Sequence, residues 1–248
     1  MEHVKTLTTL SLSLIVLIVI IFNTAFSGGV ATCDNYIFNV YMYILIALFG
    51  TIFMYLALND TDPKNKIRQY IYNNIGIMIG FFILSIVPYF VMAYYSTNQI
   101  ITHLMFLILI AMYGVSFHFG IAGINNKILI EALLQCIVVM ISLSIIVFTY
   151  PDAIKSSWNY QLLIILILLI IAQTVTYYVI GPSDPKFNYY QKLFSYFGIV
   201  LFSAFILVDT KKVIERSKTC IVPNYPQASI NIFLDGMNLF LDLIVAKR

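Results

Sequence analysis

Charge is what this chain has least of. Asp, Glu, Lys and Arg make up 10% of its 248 residues, against roughly 25% in an ordinary soluble domain. That shortage excludes a water-exposed globular surface of normal size. The net charge of +3 is small and its carriers are scattered, which leaves nucleic-acid binding without support. Cysteine is scarce too, and Cys33, Cys136 and Cys220 lack metal-ligand spacing. Cys33 and Cys220 fall on one side if every segment crosses, and can pair only where that side is oxidising. No internal repeat is visible. Alternation is missing as well: the apolar runs are continuous, which excludes strands as the spanning element.

Apolar residues fill the space left, at 61% of the chain. Eight apolar segments can be placed, several reaching the ~20 residues a helix needs to cross the hydrocarbon core. They cover approximately residues 7–26, 36–58, 71–95, 101–123, 128–150, 159–181, 190–210 and 228–245. Turn-forming breaks separate them, such as Pro151-Asp-Ala-Ile-Lys-Ser-Ser157 and Gly181-Pro-Ser-Asp-Pro-Lys186. The fold class is therefore all-α, a polytopic transmembrane helix bundle, with loops too short for a separate soluble domain. Residues 1–35 form an extra N-terminal apolar segment and loop, and residues 36–248 a multi-helix membrane domain. The first segment has two readings. Lys5, the apolar run 10–22 and Ala25-Phe-Ser27 before Gly28-Gly29 look like a secretory signal, yet the run is long enough to stay as a helix.

Against this background two carboxylates stand out, Asp209 and Asp235, each in a strongly apolar context. A charge at bilayer depth costs roughly 2.5–3.5 kcal/mol on insertion scales, so it faces a partner or a polar pathway. In the last segment Asn231, Asp235, Asn238 and Asp242 share one helical face, opposite Phe233, Met237, Phe240 and Ile244. That stripe should turn to other helices or to water, unless the segment is re-entrant or interfacial. Two carboxylates close together in low dielectric cannot both ionise cheaply; they share a proton and titrate as one unit. Deprotonated, they offer the oxygen ligands calcium prefers, and Asn238 can add a carbonyl. Asp209, Asp235 and Asn238 are thus the candidate calcium and proton site. The plainer alternative is a structural hydrogen-bonded pair. Asp242 is expected to snorkel to the interface, Glu131 to serve the helix dipole, Gln173 to bond between helices, and His118 to be a satisfied core or interfacial group.

The segments Phe202-Ser-Ala-Phe-Ile-Leu-Val-Asp209-Thr and Ile232-Phe-Leu-Asp235-Gly-Met-Asn238-Leu-Phe240 resemble the closing signature of the transmembrane Bax-inhibitor-motif (lifeguard) family. Ile130-Glu-Ala-Leu133, Phe148-Thr149 and Trp158-Asn-Tyr160 resemble its fourth helix and the loop that follows, and Met112-Tyr-Gly-Val-Ser116 with Gly120 echoes its third. The resemblance implies seven helices, the last one central, preceded here by the extra segment. It further implies a calcium leak controlled by an aspartate pair, a link to cell-death regulation, and an endoplasmic reticulum or Golgi membrane rather than the plasma membrane. Calcium is then the permeant ion, no cofactor is required and no enzymatic activity is expected. The partners are the lipid bilayer and death-regulatory membrane proteins, with no nucleic acid.

Three departures from the family pattern shape the expectations. The family's basic residue at the end of the second helix is missing from Tyr94-Tyr-Ser-Thr-Asn-Gln99, leaving Arg68 only if the registration slips by a segment. Closure is then expected to rest on the proton bridge and on packing alone. Phe233 replaces a tyrosine, and Gly236 should loosen the last helix. The third departure is the eighth segment. Charge gives conflicting sidedness: the positive-inside rule favours Lys5, Lys64, Lys66, Arg68, Lys127, Lys186 and Lys192 as cytosolic, whereas the family orientation puts residues 211–218 there. Two other classes compete with the channel. An intramembrane aspartyl protease lacks its Tyr-Asp and Gly-x-Gly-Asp contexts, because Val208 and Leu234 precede the aspartates. A non-conducting membrane scaffold regulating death-pathway proteins remains the alternative.

Overall fold

The computed structural model describes residues 2–59, 75–120 and 124–248. The apolar runs become helices α1 (Glu2–Ala25), α2 (Tyr36–Asn59), α3 (Ile75–Tyr94), α4 (Gln99–Gly120), α5 (Asn126–Thr149), α6 (Trp158–Val179), α7 (Pro185–Lys218) and α8 (Tyr225–Lys247). Seven of them are long and apolar enough to cross a membrane. Helices satisfy their own backbone groups, which a lipid-facing segment must do. The protein is an all-α polytopic helix bundle. The one sheet among the described residues is a two-residue pairing, β1 (Phe26–Ser27) with β2 (Val30–Ala31). Its turn is made by Gly28 and Gly29 at φ +58° and +81°, a region where a Cβ is strained.

The chain forms two units, residues 1–123 with 219–230, and residues 124–218 with 231–248. In the first, α1 packs along α2, and α4 packs against both α2 and α3. Small residues let α2 and α4 approach: a Cβ on Gly114 would lie 3.0 Å from Thr51 O, and one on Gly50 would lie 2.8 Å from Ile110 Cγ2. Asn39, fully buried, ties α1 to the start of α2. Its Nδ2 donates to the carbonyls of Thr24 and Asp34, both at 3.1 Å, and its Oδ1 accepts from Thr24 Oγ1 at 2.7 Å. Tyr225, at the head of α8, stacks on Tyr43 and donates to the Thr32 carbonyl. A disulfide joins Cys33 and Cys220, Cα atoms 5.9 Å apart.

In the second unit α7 packs against α5 and α6. The start of α5 is capped by Asn125, whose Oδ1 accepts from Lys127 N at 2.8 Å. Glu131 is therefore no cap. It lies past the first turn and pairs with Lys247 at 2.9 Å. α6 has no buried residue, and its exposed Ile, Leu and Val suit lipid. α8 is the opposite case. It is one continuous helix with most of its apolar residues buried, and long and apolar enough to cross a membrane.

Gly236 does not loosen α8. The helix runs through it, and the absent side chain makes room for Met140, whose Sδ would sit 2.7 Å from a Cβ there. Cys136 Sγ donates to the Gly236 carbonyl at 3.2 Å. The seventh segment, expected to end near residue 210, continues to Lys218. Lys, Glu and Arg favour helix, and Lys211 sits 3.6 Å from Glu215 one turn on. That extension decides the chemistry of the site.

Candidate functional site: an aspartate pair with a lysine

α7 and α8 supply the two carboxylates. Asp209 is 6% exposed, near the end of the apolar part of α7, where the helix periodicity turns it inward with Leu201 and Phe205. Asp235 is partly buried, and its Oδ2 is shut from solvent with no hydrogen-bond donor. Asp209 and Asp235 are electrostatic neighbours on α7 and α8. Two ionised carboxylates have no proton to give, so they can hydrogen-bond to each other only by sharing one.

A third residue completes the site. Lys212 Nζ donates to Asp209 Oδ1 at 2.6 Å and to Asn159 Oδ1 at 2.9 Å. Lys212 lies three residues after Asp209 on the same helix, one turn away on one face. The expectation that no basic residue engages the pair is thereby corrected. The cation comes from α7 itself rather than from the second family helix. The signal was present in the sequence as Asp-x-x-Lys, and was obscured by ending the helix at residue 210. Arg68 lies outside the described residues.

The rest of the polar stripe divides. Asp242 does not snorkel away: its carboxylate lies against Gly198 of α7, where a Cβ would collide with it. Asn231 is partly buried, whereas Asn238 is exposed, so the structure does not bring Asn238 inward with the two aspartates. Among the described residues no three His, Cys, Asp or Glu side chains converge to hold a metal ion. His103 is satisfied within the first unit: Nδ1 is 2.6 Å from the Gln99 carbonyl and Nε2 is 2.6 Å from Tyr43 Oη. The carbonyl can only accept, so Nδ1 carries the proton and Nε2 accepts from Tyr43.

Chemically, the charge of the three groups depends on one proton. One proton on the pair leaves a single negative charge, which Lys212 balances. Loss of that proton leaves a net negative, oxygen-rich site. The family described as inhibitor of apoptosis-promoting Bax1 matches residues 33–246, a span that holds both aspartates and all of α2 to α7. The chain belongs to the Bax inhibitor family. No curated protein matches it. The matched span begins after α1, so this Bax inhibitor family member carries seven family helices and one further N-terminal helix. It is a multi-pass membrane protein of a family that modulates cell death.

Proposed function

We propose that the protein is a pH-sensitive calcium leak channel of an intracellular membrane, the endoplasmic reticulum or Golgi, gated by Asp209 and Asp235. The observation that carries this reading is the neighbouring pair of carboxylates with Lys212 bound to one of them. Protonated, the pair is bridged and neutralised, and the site is closed. When the proton leaves, the two carboxylates repel, Lys212 can hold only one, and a calcium ion with its waters can replace the proton. Protons and calcium compete, so calcium occupancy falls as pH falls. This mechanism needs no cofactor and no enzymatic step; death-regulatory membrane proteins are the partners that would respond to the flux.

The test is calcium flux from purified protein in liposomes over a pH series. Asp→Asn nearly keeps volume and removes both the charge and the shared proton. Either Asp209→Asn or Asp235→Asn should abolish the pH response, and the double variant should add little, because coupled groups are non-additive. Additive halves from the two single variants would mean independent sites. Normal flux with an unchanged pH profile in all variants would leave a structural pair. Wild-type protein that conducts nothing would favour the non-conducting scaffold.

A further inference from the structure

The disulfide fixes which side of the membrane each end of the helices faces. We infer that the Cys33 and Cys220 loops lie in an oxidising, non-cytosolic compartment, and that the aspartate pair exchanges protons and cations with that compartment. The second half rests on the proposed channel; the first stands without it. Disulfides persist in oxidising compartments and are rare in the cytosol. In forming this one, each thiol gives up its proton, and two electrons pass to a disulfide-exchanging oxidant of that compartment, which leaves as a dithiol.

Several separate contacts agree that successive helices cross. Asn224, in the Cys220 loop, donates to the Ser96 carbonyl after α3 at 2.8 Å. Gln99, at the start of α4, accepts from Ala31 N near Cys33. At the other ends, Lys247 in the last turn of α8 meets Glu131 near the start of α5. Lys5, Lys127, Lys186, Lys192, Lys247 and Arg248 then fall on the cytosolic face, and Lys155, Lys211, Lys212, Arg216 and Lys218 on the other, so charge hardly discriminates. The disulfide, not charge, decides the orientation inferred for this chain, against the family orientation. Residues 211–218 lie on the oxidising side.

The depth of the pair follows from α7. Between Lys192 and Asp209 the helix carries no charge over residues 193–208, about 24 Å at 1.5 Å per residue, which is most of the ~30 Å hydrocarbon core. Asp209 therefore sits where α7 leaves the hydrocarbon on the Cys220 side. The charged groups at the pair are Asp209, Asp235 and Lys212; Lys211 turns instead to Asp152 and Glu215.

Sealed microsomes from cells expressing the full chain, cytosolic face outward, test this directly. The probe is a membrane-impermeant polyethylene-glycol maleimide, added with or without a membrane-permeant dithiol reductant. Two adducts per chain should appear only after reduction and only when detergent opens the vesicles. Both should vanish in Cys33→Ser/Cys220→Ser, since Cys136 is buried. Adducts in sealed vesicles, or without reduction, would overturn the assignment. In the same vesicles, calcium leak should respond to lumenal pH and ignore external pH. A response to external pH alone would overturn the access route while labelling upholds the sidedness. Absence of any leak would sink the channel reading, with the labelling result still deciding sidedness.

Discussion

The two units differ in their main buried polar cluster, neutral around Asn39 in the first and charged around Asp209 in the second. Around Asn39 the first unit uses neutral groups, and each finds a partner: Thr24, Asp34 and Thr32 carbonyls, the Thr24 hydroxyl, Tyr225. His103 and Tyr43 close on each other in the same manner. The second unit buries charge and leaves it incompletely matched. Among the described residues the one cation bound to the two aspartates is Lys212, on Asp209, and Asp235 Oδ2 and Thr210 Oγ1 have no hydrogen-bond partner, as is also true of Thr51 Oγ1 in the first unit. A fully satisfied neutral network holds helices in place, whereas an unbalanced charged one changes when a proton or cation arrives. The proposed channel function rests on the second pattern.

The largest expected effect comes from removing the cation. Lys212→Met should strand the Asp209 carboxylate at a cost toward the lower end of the roughly 3–5 kcal/mol typical of a broken buried pair, because Lys212 itself is partly exposed. Thermal unfolding in nanodiscs measures it. Lowering the pH should recover stability in this variant, since protonation of the pair removes the stranded charge. A variant that melts like wild type at neutral pH would mean the pair is solvated and the contrast between the units is false.

Next in size is Asn39→Leu, which removes the bonds to the Thr24 and Tyr225 hydroxyls and to two carbonyls. The Thr24 hydroxyl keeps the Ile20 carbonyl and Tyr225 keeps the Thr32 carbonyl, so the loss should be about 1–3 kcal/mol in all and should not vary between pH 5 and pH 8. A pH-dependent loss would give the first unit a charged role it is not assigned.

The smallest effects sharpen the comparison within the second unit. Gly198→Ala pushes a methyl group into the Asp242 carboxylate and should cost about 1–3 kcal/mol, the usual range for overpacking. Gly236→Ala meets the flexible thioether of Met140, which can turn aside, so the loss should stay below about 1 kcal/mol. The reverse order, read from paired melts, would show that the Asp242 carboxylate yields more easily than the core around Met140.

How legible the site was depended on distance along the chain. Asp209 and Asp235 announced themselves, because a carboxylate inside an apolar run is costly wherever it lies. Lys212 was hidden by an end assigned to the helix at the first charged residues, although lysine and glutamate are good helix formers. Asn238 was grouped with the aspartates by periodicity, but a helical face spans a wide arc, and only the neighbouring helix decides which part of it is covered. Asp242 and Gly236 were misjudged for the same reason: each is matched to a residue far away in sequence, Gly198 and Met140.

The sequence by itself determined that this is a helical membrane protein, which residues span, and that it belongs with the Bax inhibitor family. Composition and apolar run length are local properties, and the bilayer reads them locally. Tertiary structure alone decided that Cys33 meets Cys220, that Lys212 binds Asp209, and that Asn238 is left outside. Those outcomes depend on how helices rotate and slide against each other, set by side-chain fit at positions such as Gly198 and Gly236, and no single segment contains that information.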